Sequence, residues 1–194
     1  MSLIVVIKDK DKFYVGCDTR ITQGSHFADT KYQLMKKAFF YDKDKGMIVG
    51  ATGNVGAGDL AASVLRITKP QKLTREYIVD IFWPMFIVRS KESGMFFSSE
   101  CGTECELLLI MKDIGFYIDP FGGIMEIIDI CTLGSGAPIA DAVLETLYRV
   151  CNYAPRTMIT LAIEAAASVK NDISKEVYIG SSDGKEFARY RVPL

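Results

Sequence analysis

The second residue of this chain is a serine. Methionine is removed readily when the next residue is small, and loss of Met1 would leave Ser2 with both a hydroxyl and a free α-amine. An α-amine has an ordinary pKa of about 7.7–8.0, so a useful fraction is neutral near physiological pH. It can take the hydroxyl proton, directly or through one water, with no histidine involved. The resulting chemistry would be nucleophilic acyl transfer by a residue that carries its own base. Charges able to tune that amine occur at telling positions. The apolar runs 3–8 and 12–18 are joined by the turn DKDK and read as a hairpin, which returns Asp18 and Arg20 of GCDTR to the side of Ser2. Lys36 and Lys37 open the next apolar run, KKAFFYD. An ammonium beside the terminal amine would lower its pKa and favour the alkoxide, and a carboxylate can hold that lysine in place. A Met-Ser start alone carries little weight, and each charge alone is an ordinary strand-end residue. Their combination is what points to chemistry.

Other chemistries find little support. The one histidine, His26 in GSHFAD, has no partners at triad spacing. Neither GxxxxGK[ST] nor HExxH is present, and GSGAP lacks the lysine of a phosphate loop. The five cysteines are Cys17, Cys101, Cys105, Cys131 and Cys151, an odd number that reads as reduced thiols. Zinc needs about four ligands, and no such set is spaced along the chain, so no metal or other cofactor is expected. A net charge of −1 offers no basic excess for nucleic acid. No apolar run approaches the ~18–20 residues that span a bilayer. The opening run LIVVI is too short for a signal peptide, which leads to the expectation of a cytoplasmic protein without membrane contact.

The elements that must position these residues come in a distinctive order. After the first hairpin, runs 34–41 and 47–51 make a second one around DKDKG. Asn54 is placed to cap a helix through AGDLAASVLRI, and Thr74 to cap REYIVDIFWPMFIVRSKE, where Pro84 should kink or interrupt the helix. A loop over 93–102 leads to strands at 106–112, 115–119 and 124–129, with DPFGG as a tight turn. The Gly-rich bend CTLGSGAP opens helix 139–151, helix 156–170 follows, and strands 176–180 and 186–192 close the chain around SSDG. Helices come in pairs between groups of strands. That pattern predicts an α+β domain over residues 1–194, with two sheets between helix layers, and not a doubly wound parallel sheet. With 49% hydrophobic and 24% charged residues, the chain can bury a core of that kind.

These residues also carry a family resemblance. SLIVVIKDKDKFYVGCDTRITQG resembles the opening of proteasome β-type subunits and of HslV-type peptidases, in which a strand begun by the nucleophile is followed by a hairpin ending in an acid and then a base. The spacing from Ser2 to Asp18 is similar to the family's. Lys37 corresponds to the family's active-site lysine if a small insertion precedes it, with Lys36 as the adjacent alternative. GMIVGATGNVGAGD resembles the strand and bend that give a backbone N–H to the oxyanion, with Gly50 as the match and Ala51 as the alternative. GFYIDPFGGIMEI resembles the family's strand pair, and CTLGSGAPIADAVLE its Gly-Ser-Gly bend and helix. Ser135 matches the serine that orients the terminal amine. KNDISK resembles an acid-then-serine motif: Asp172 fits, Lys175 stands where the serine is expected, and Ser174 is the substitute.

The resemblance covers nearly the whole chain in order. It implies the four-layer αββα sandwich of the N-terminal nucleophile (Ntn) hydrolases. It implies peptide hydrolysis, with Ser2 attacking, its amine taking the proton, Lys37 supplying the field, Asp18 orienting Lys37, Gly50 binding the oxyanion, and Ser135 with Asp172 supporting the amine. Arg20 and Ser174 would support the site. Peptides or unfolded proteins would be the substrates, acted on inside a homo-oligomeric ring, with an ATPase as a possible partner. The stretch DIFWPMFIV could lie partly at a subunit contact. Two other roles share the resemblance: a non-catalytic ring subunit, which Lys175 favours, and hydrolysis of a small-molecule amide.

Overall fold

Residues 3–7, LIVVI, are apolar at every position, a pattern that suits a strand covered on both faces rather than one. The computed structural model describes residues 2–23, 26–29, 37–54, 56–94, 102–184 and 188–191. Its strands are β1 (Ile4–Asp9), β2 (Lys12–Asp18), β3 (Arg20–Gln23), β4 (His26–Asp29), β5 (Ala38–Asp42), β6 (Met47–Gly53), β7 (Cys105–Met111), β8 (Ile114–Ile118), β9 (Ile124–Glu126), β10 (Ile130–Leu133), β11 (Glu176–Ser181) and β12 (Ala188–Arg191). Its α-helices are α1 (Ala57–Thr68), α2 (Arg75–Tyr77), α3 (Trp83–Glu92), α4 (Ala137–Val150) and α5 (Pro155–Val169).

One antiparallel sheet runs β10, β1, β2, β11, β12, and the other runs β5, β6, β7, β8, β9. Strand alternation sorts their side chains into three apolar layers. Leu3, Val5 and Ile7 face α4 and α5, meeting Leu144, Ile159 and Ile163. Ile4 and Val6 point the other way and pack with Ile48, Leu108 and Ile110 of the second sheet. Val49, Leu107 and Leu109 face α1, α3 and the turn that leads into α3, against Leu65, Phe86 and Phe82. Each inner strand is therefore buried on both sides, which accounts for its unbroken apolar run. The result is the expected αββα sandwich, of α+β class.

Most elements fall where the sequence puts them, and the exceptions have local causes. A short hairpin, β3 with β4, follows Asp18 as a separate two-stranded sheet. The expected bend after residue 129 begins with a strand, β10, because Ile130 to Leu133 pair with Ile7 to Ile4 at the edge of β1. Asn54 does not cap α1: its Oδ1 accepts the Gly56 N–H at 3.0 Å and shapes the approach, while Gly56 holds the cap position. Thr74 does cap α2, accepting the Tyr77 N–H at 3.2 Å. At Pro84 the expected interruption is present, because the α-helix gives way to a π-helical turn directly before it. Residues Ile78–Phe82 form a π-helical turn in which Trp83 N–H bonds Ile78 O, so Pro84 enters the first turn of α3, where its missing N–H costs nothing. Residues 34–36, 186–187 and 192, assigned to strands from sequence, lie outside the described residues. No helix among the described residues is long and apolar enough to cross a membrane.

Close approach of α5 to β2 depends on one glycine. A Cβ on Gly16 would lie 2.2 Å from Ile159 Cγ2, a branch held near the helix backbone. Gly16→Ala is expected to cost about 1–3 kcal/mol through overpacking. In urea titrations, Gly16→Ala combined with Ile159→Ala should lose less than the sum of the two single losses. Strict additivity would show that the helix does not press on β2 at this point.

Candidate active site

Asp18 ends β2 with 1% of its surface exposed, and a carboxylate at such depth needs partners. It has four. Oδ1 accepts the Leu3 N–H at 2.9 Å and also the Lys37 ammonium. Oδ2 accepts the N–H of Arg20 at 3.1 Å and that of Ser174 at 3.3 Å. The Lys37 side chain is itself only 8% exposed. One oxygen thus joins a buried ammonium to the peptide directly after Ser2. The hairpin register, with Ile4 opposite Cys17, places Asp18 across from Leu3, and Leu3 O in turn accepts the Asp18 N–H at 3.2 Å. Lys37 reaches this point from just before β5, where its carbonyl accepts the Ala51 N–H at 2.8 Å.

Ser2 is buried, with 8% exposure. Its carbonyl oxygen accepts the Gly136 N–H at 3.4 Å. The 134–136 bend lies so close that a Cβ on Gly134 would sit 2.2 Å from Ser2 O, and Gly134 has a φ of +97° that disfavours any side chain. Ser135, between the two glycines, donates its hydroxyl to Asp172 Oδ2 at 3.1 Å. Asp172 belongs to the loop before β11, which is tied down twice more. The Arg20 guanidinium bonds Asn171 O, and the Thr19 hydroxyl donates to Ser174 Oγ at 3.1 Å. Ser174 Oγ also accepts the Glu176 N–H at 3.0 Å.

Ser2, Asp18, Lys37, Ser135 and Asp172 therefore converge on the head of β1, with Arg20 and Ser174 bracing the loop behind them. Lys175 is exposed. Lys36 lies outside the described residues. Gly50 is buried in mid-β6, paired with Ala38 on one side and Leu108 on the other. Successive strand amides point to opposite neighbours. The Ala51 amide goes to Lys37, so that of Gly50 is directed to β7 and joins the ladder. Both backbone donors suggested by the sequence are thus used by the sheet.

Sequence reasoning missed Thr19, Thr52 and Glu106. Glu106 was readable as the single charge in the β7 run CELLLIM. Its Oε2 accepts the Thr52 hydroxyl and the Gly134 N–H, each at 2.7 Å, and its Oε1 accepts the Tyr117 hydroxyl at 2.9 Å.

No family model matches the chain, and no curated protein matches it in sequence. Solved structures do match. BPH from Thiobacillus denitrificans superposes with a TM-score of 0.78 at 16% identity, over 96% of this chain and 98% of BPH. BPH in complex with epoxomicin gives 0.75 at 16% identity, over 96% and 99% of the two chains. Eukaryotic HslV from Trypanosoma brucei gives 0.67 at 15% identity, over 92% and 98%. A mutant of Anbu from a Hyphomicrobium strain gives 0.71 at 13% identity, over 100% and 88%. The fold is that of the proteasome-like Ntn hydrolases. At such identities the likeness establishes the Ntn fold and nothing finer.

Within this Ntn fold Cys17, Cys105 and Cys131 are poor competitors as nucleophiles. Burial pushes the Cys17 thiol up to about 11. Burial, aided by Asp141 and Glu106, pushes Cys131 up to about 12. Burial also raises Cys105. Cys101 lies outside the described residues. Thiolates are the reactive form, so iodoacetamide at about pH 8 should leave Cys17 and Cys131 unmodified in the native protein, as read by peptide mapping. Rapid labelling of either would mean that its thiol is open and ionised.

Asp18→Asn would strand the Lys37 ammonium without its counter-charge. The expected loss is about 3–5 kcal/mol in chemical denaturation. A loss below about 0.5 kcal/mol, typical of surface substitutions, would mean that the pair is not closed in solution.

Proposed function

We propose that this chain is a proteasome-like peptidase whose nucleophile is Ser2, active once processing has made Ser2 the N-terminus. One observation carries the reading: Asp18 Oδ1 holds both the Lys37 ammonium and the amide that follows Ser2. Ser2 Oγ attacks the peptide carbonyl, and the Ser2 α-amine accepts the hydroxyl proton. The Lys37 charge favours the neutral amine and the developing alkoxide. Ser135, held by Asp172, supports the amine. The amine then protonates the leaving group, and water releases the acyl group from Ser2.

The oxyanion needs a donor other than Gly50 or Ala51. Gly53, at the end of β6, is our candidate. Its amide is directed to the same edge as that of Ala51, but lies two residues beyond Lys37. Substrates would be peptides or unfolded protein segments. We also propose assembly into a homo-oligomeric ring. It is supported by Ile81 and Val88 of DIFWPMFIV and by Val79 just before it, which are 46%, 54% and 44% exposed.

A second reading has its own observation. Lys175 occupies the place of the supporting serine, and the Ser174 hydroxyl is already engaged by Thr19 and Glu176. A chain so altered could serve as a non-catalytic ring subunit. One experiment separates the two. Intact mass spectrometry reads the N-terminus, and fluorogenic peptide hydrolysis is then compared with Ser2→Ala. Loss of turnover by at least about 10³-fold is expected. Epoxomicin, found in complex with BPH, is the first ligand to try, and inhibition by it should be lost in Ser2→Ala together with turnover, its binding then being read by mass spectrometry. Retention of Met1, or a mutant as active as the parent, would sink the peptidase reading.

A further inference from the structure

Glu106, the second residue of the otherwise apolar β7, is half-buried, and its hydrogen-bond partners reveal its job. Glu106 stands on β7 opposite Thr52 of β6. Two of its three hydrogen bonds, those from Thr52 and Tyr117, stay within the second sheet. The third, from the Gly134 N–H at 2.7 Å, crosses to the first sheet, because Gly134 directly follows β10. Burial, and then Glu106 itself, push the Tyr117 phenol upward, so Tyr117 remains a proton donor at working pH.

Gly134 is no ordinary attachment point. Its backbone is packed against the Ser2 carbonyl and against Thr52, whose Cγ2 would lie 3.2 Å from a Cβ at Gly134. Ser135 next to it holds Asp172, and the Gly136 N–H holds Ser2 O. A shift of the bend would move both the Ser2 main chain and the Ser135 hydroxyl.

We propose that Glu106 is a positioning residue that sets the Ser2 site by anchoring the 134–136 bend to the second sheet. The inference rests on Ser2 being the nucleophile, and it adds a residue that touches neither substrate nor the reacting atoms. Nucleophile, amine and supporting hydroxyl sit on the first sheet and its loops, whereas Lys37 and the proposed Gly53 donor belong to the second. Their mutual placement depends on how the sheets are locked at this edge. Apolar contacts such as Ile4 with Leu108 resist separation but allow sliding. A carboxylate with three directional bonds does not.

The test uses the full chain processed to Ser2, with Glu106→Leu, Glu106→Gln and Tyr117→Phe. Glu106→Leu should lower kcat by about 10- to 100-fold, the effect of a misplacement near 1 Å. KM should change by less than about 2-fold, because the proposed role of Glu106 is to place the reacting groups and not to bind substrate. The Gln amide oxygen can still accept from Gly134 and Thr52, so Glu106→Gln should recover most of the lost kcat. Tyr117→Phe spares both of those bonds and should lose less kcat than Glu106→Leu. Hydrogen–deuterium exchange at the Gly134 and Gly136 amides should quicken in Glu106→Leu at a temperature where the protein remains folded. An unchanged kcat in Glu106→Leu, or Glu106→Gln as impaired as Glu106→Leu, would overturn the proposal. If the parent shows no Ser2-dependent turnover, the peptidase reading fails, and exchange alone decides Glu106: quickened amides sustain the anchor, and unchanged amides remove it.

Discussion

The Asp18 carboxylate is the point on which the rest of the site hangs. It is buried, and it takes four donors from four segments: the chain after Ser2, the turn into β3, the start of β5 and the loop before β11. A buried ion pair is poor evidence for stability, since desolvation of both charges offsets their attraction. It is better evidence for specificity of arrangement. Any shift that parted Lys37 from Asp18 would leave an unpaired charge in the core. The pair therefore penalises other alignments of β1, β2 and β5 far more than it stabilises this one.

Two sheets meet at this edge, and hydrophobic packing alone cannot align them. The inter-sheet layer of Ile4, Val6, Val15, Ile48, Leu108 and Ile110 is close-packed but non-directional. Alignment comes from the polar contacts at the rim. Lys37 carries the second sheet to Asp18, and Glu106 carries it to Gly134. Both bridges are charge-assisted, and so stronger and more directional than neutral hydrogen bonds. The site is built where two such bridges stand on either side of the first residues of β1.

Several parts of this arrangement were legible in the sequence for physical reasons. Continuous apolar runs in β1, β6 and β7 announce strands covered on both faces, and paired helices announce the outer layers. The step from Ser2 to Asp18 was readable because a tight hairpin is a local object, with its register set by turn length. Ser135 and Asp172 were readable only through resemblance, since 37 residues separate them along the chain. Glu106 escaped because its partners lie on β6, β8 and the bend after β10, and no spacing rule links them. The interruption at Pro84 was legible from proline's missing N–H, but its form, a π-helical turn over Ile78–Phe82, was not.

Taken by itself, the sequence determined the order of elements, the layered sandwich and the hairpin that returns an acid to Ser2. Those follow from periodicity and short-range geometry, which a single strand carries in its own residues. Only the tertiary structure decided which polar groups are spent and which are poised. It assigned the Gly50 and Ala51 amides to the sheet, tied Ser174 to Thr19, and showed Lys37 closed on Asp18. A hydrogen-bonding group's role depends on what lies opposite it, and here the opposite group comes from another strand, loop or sheet.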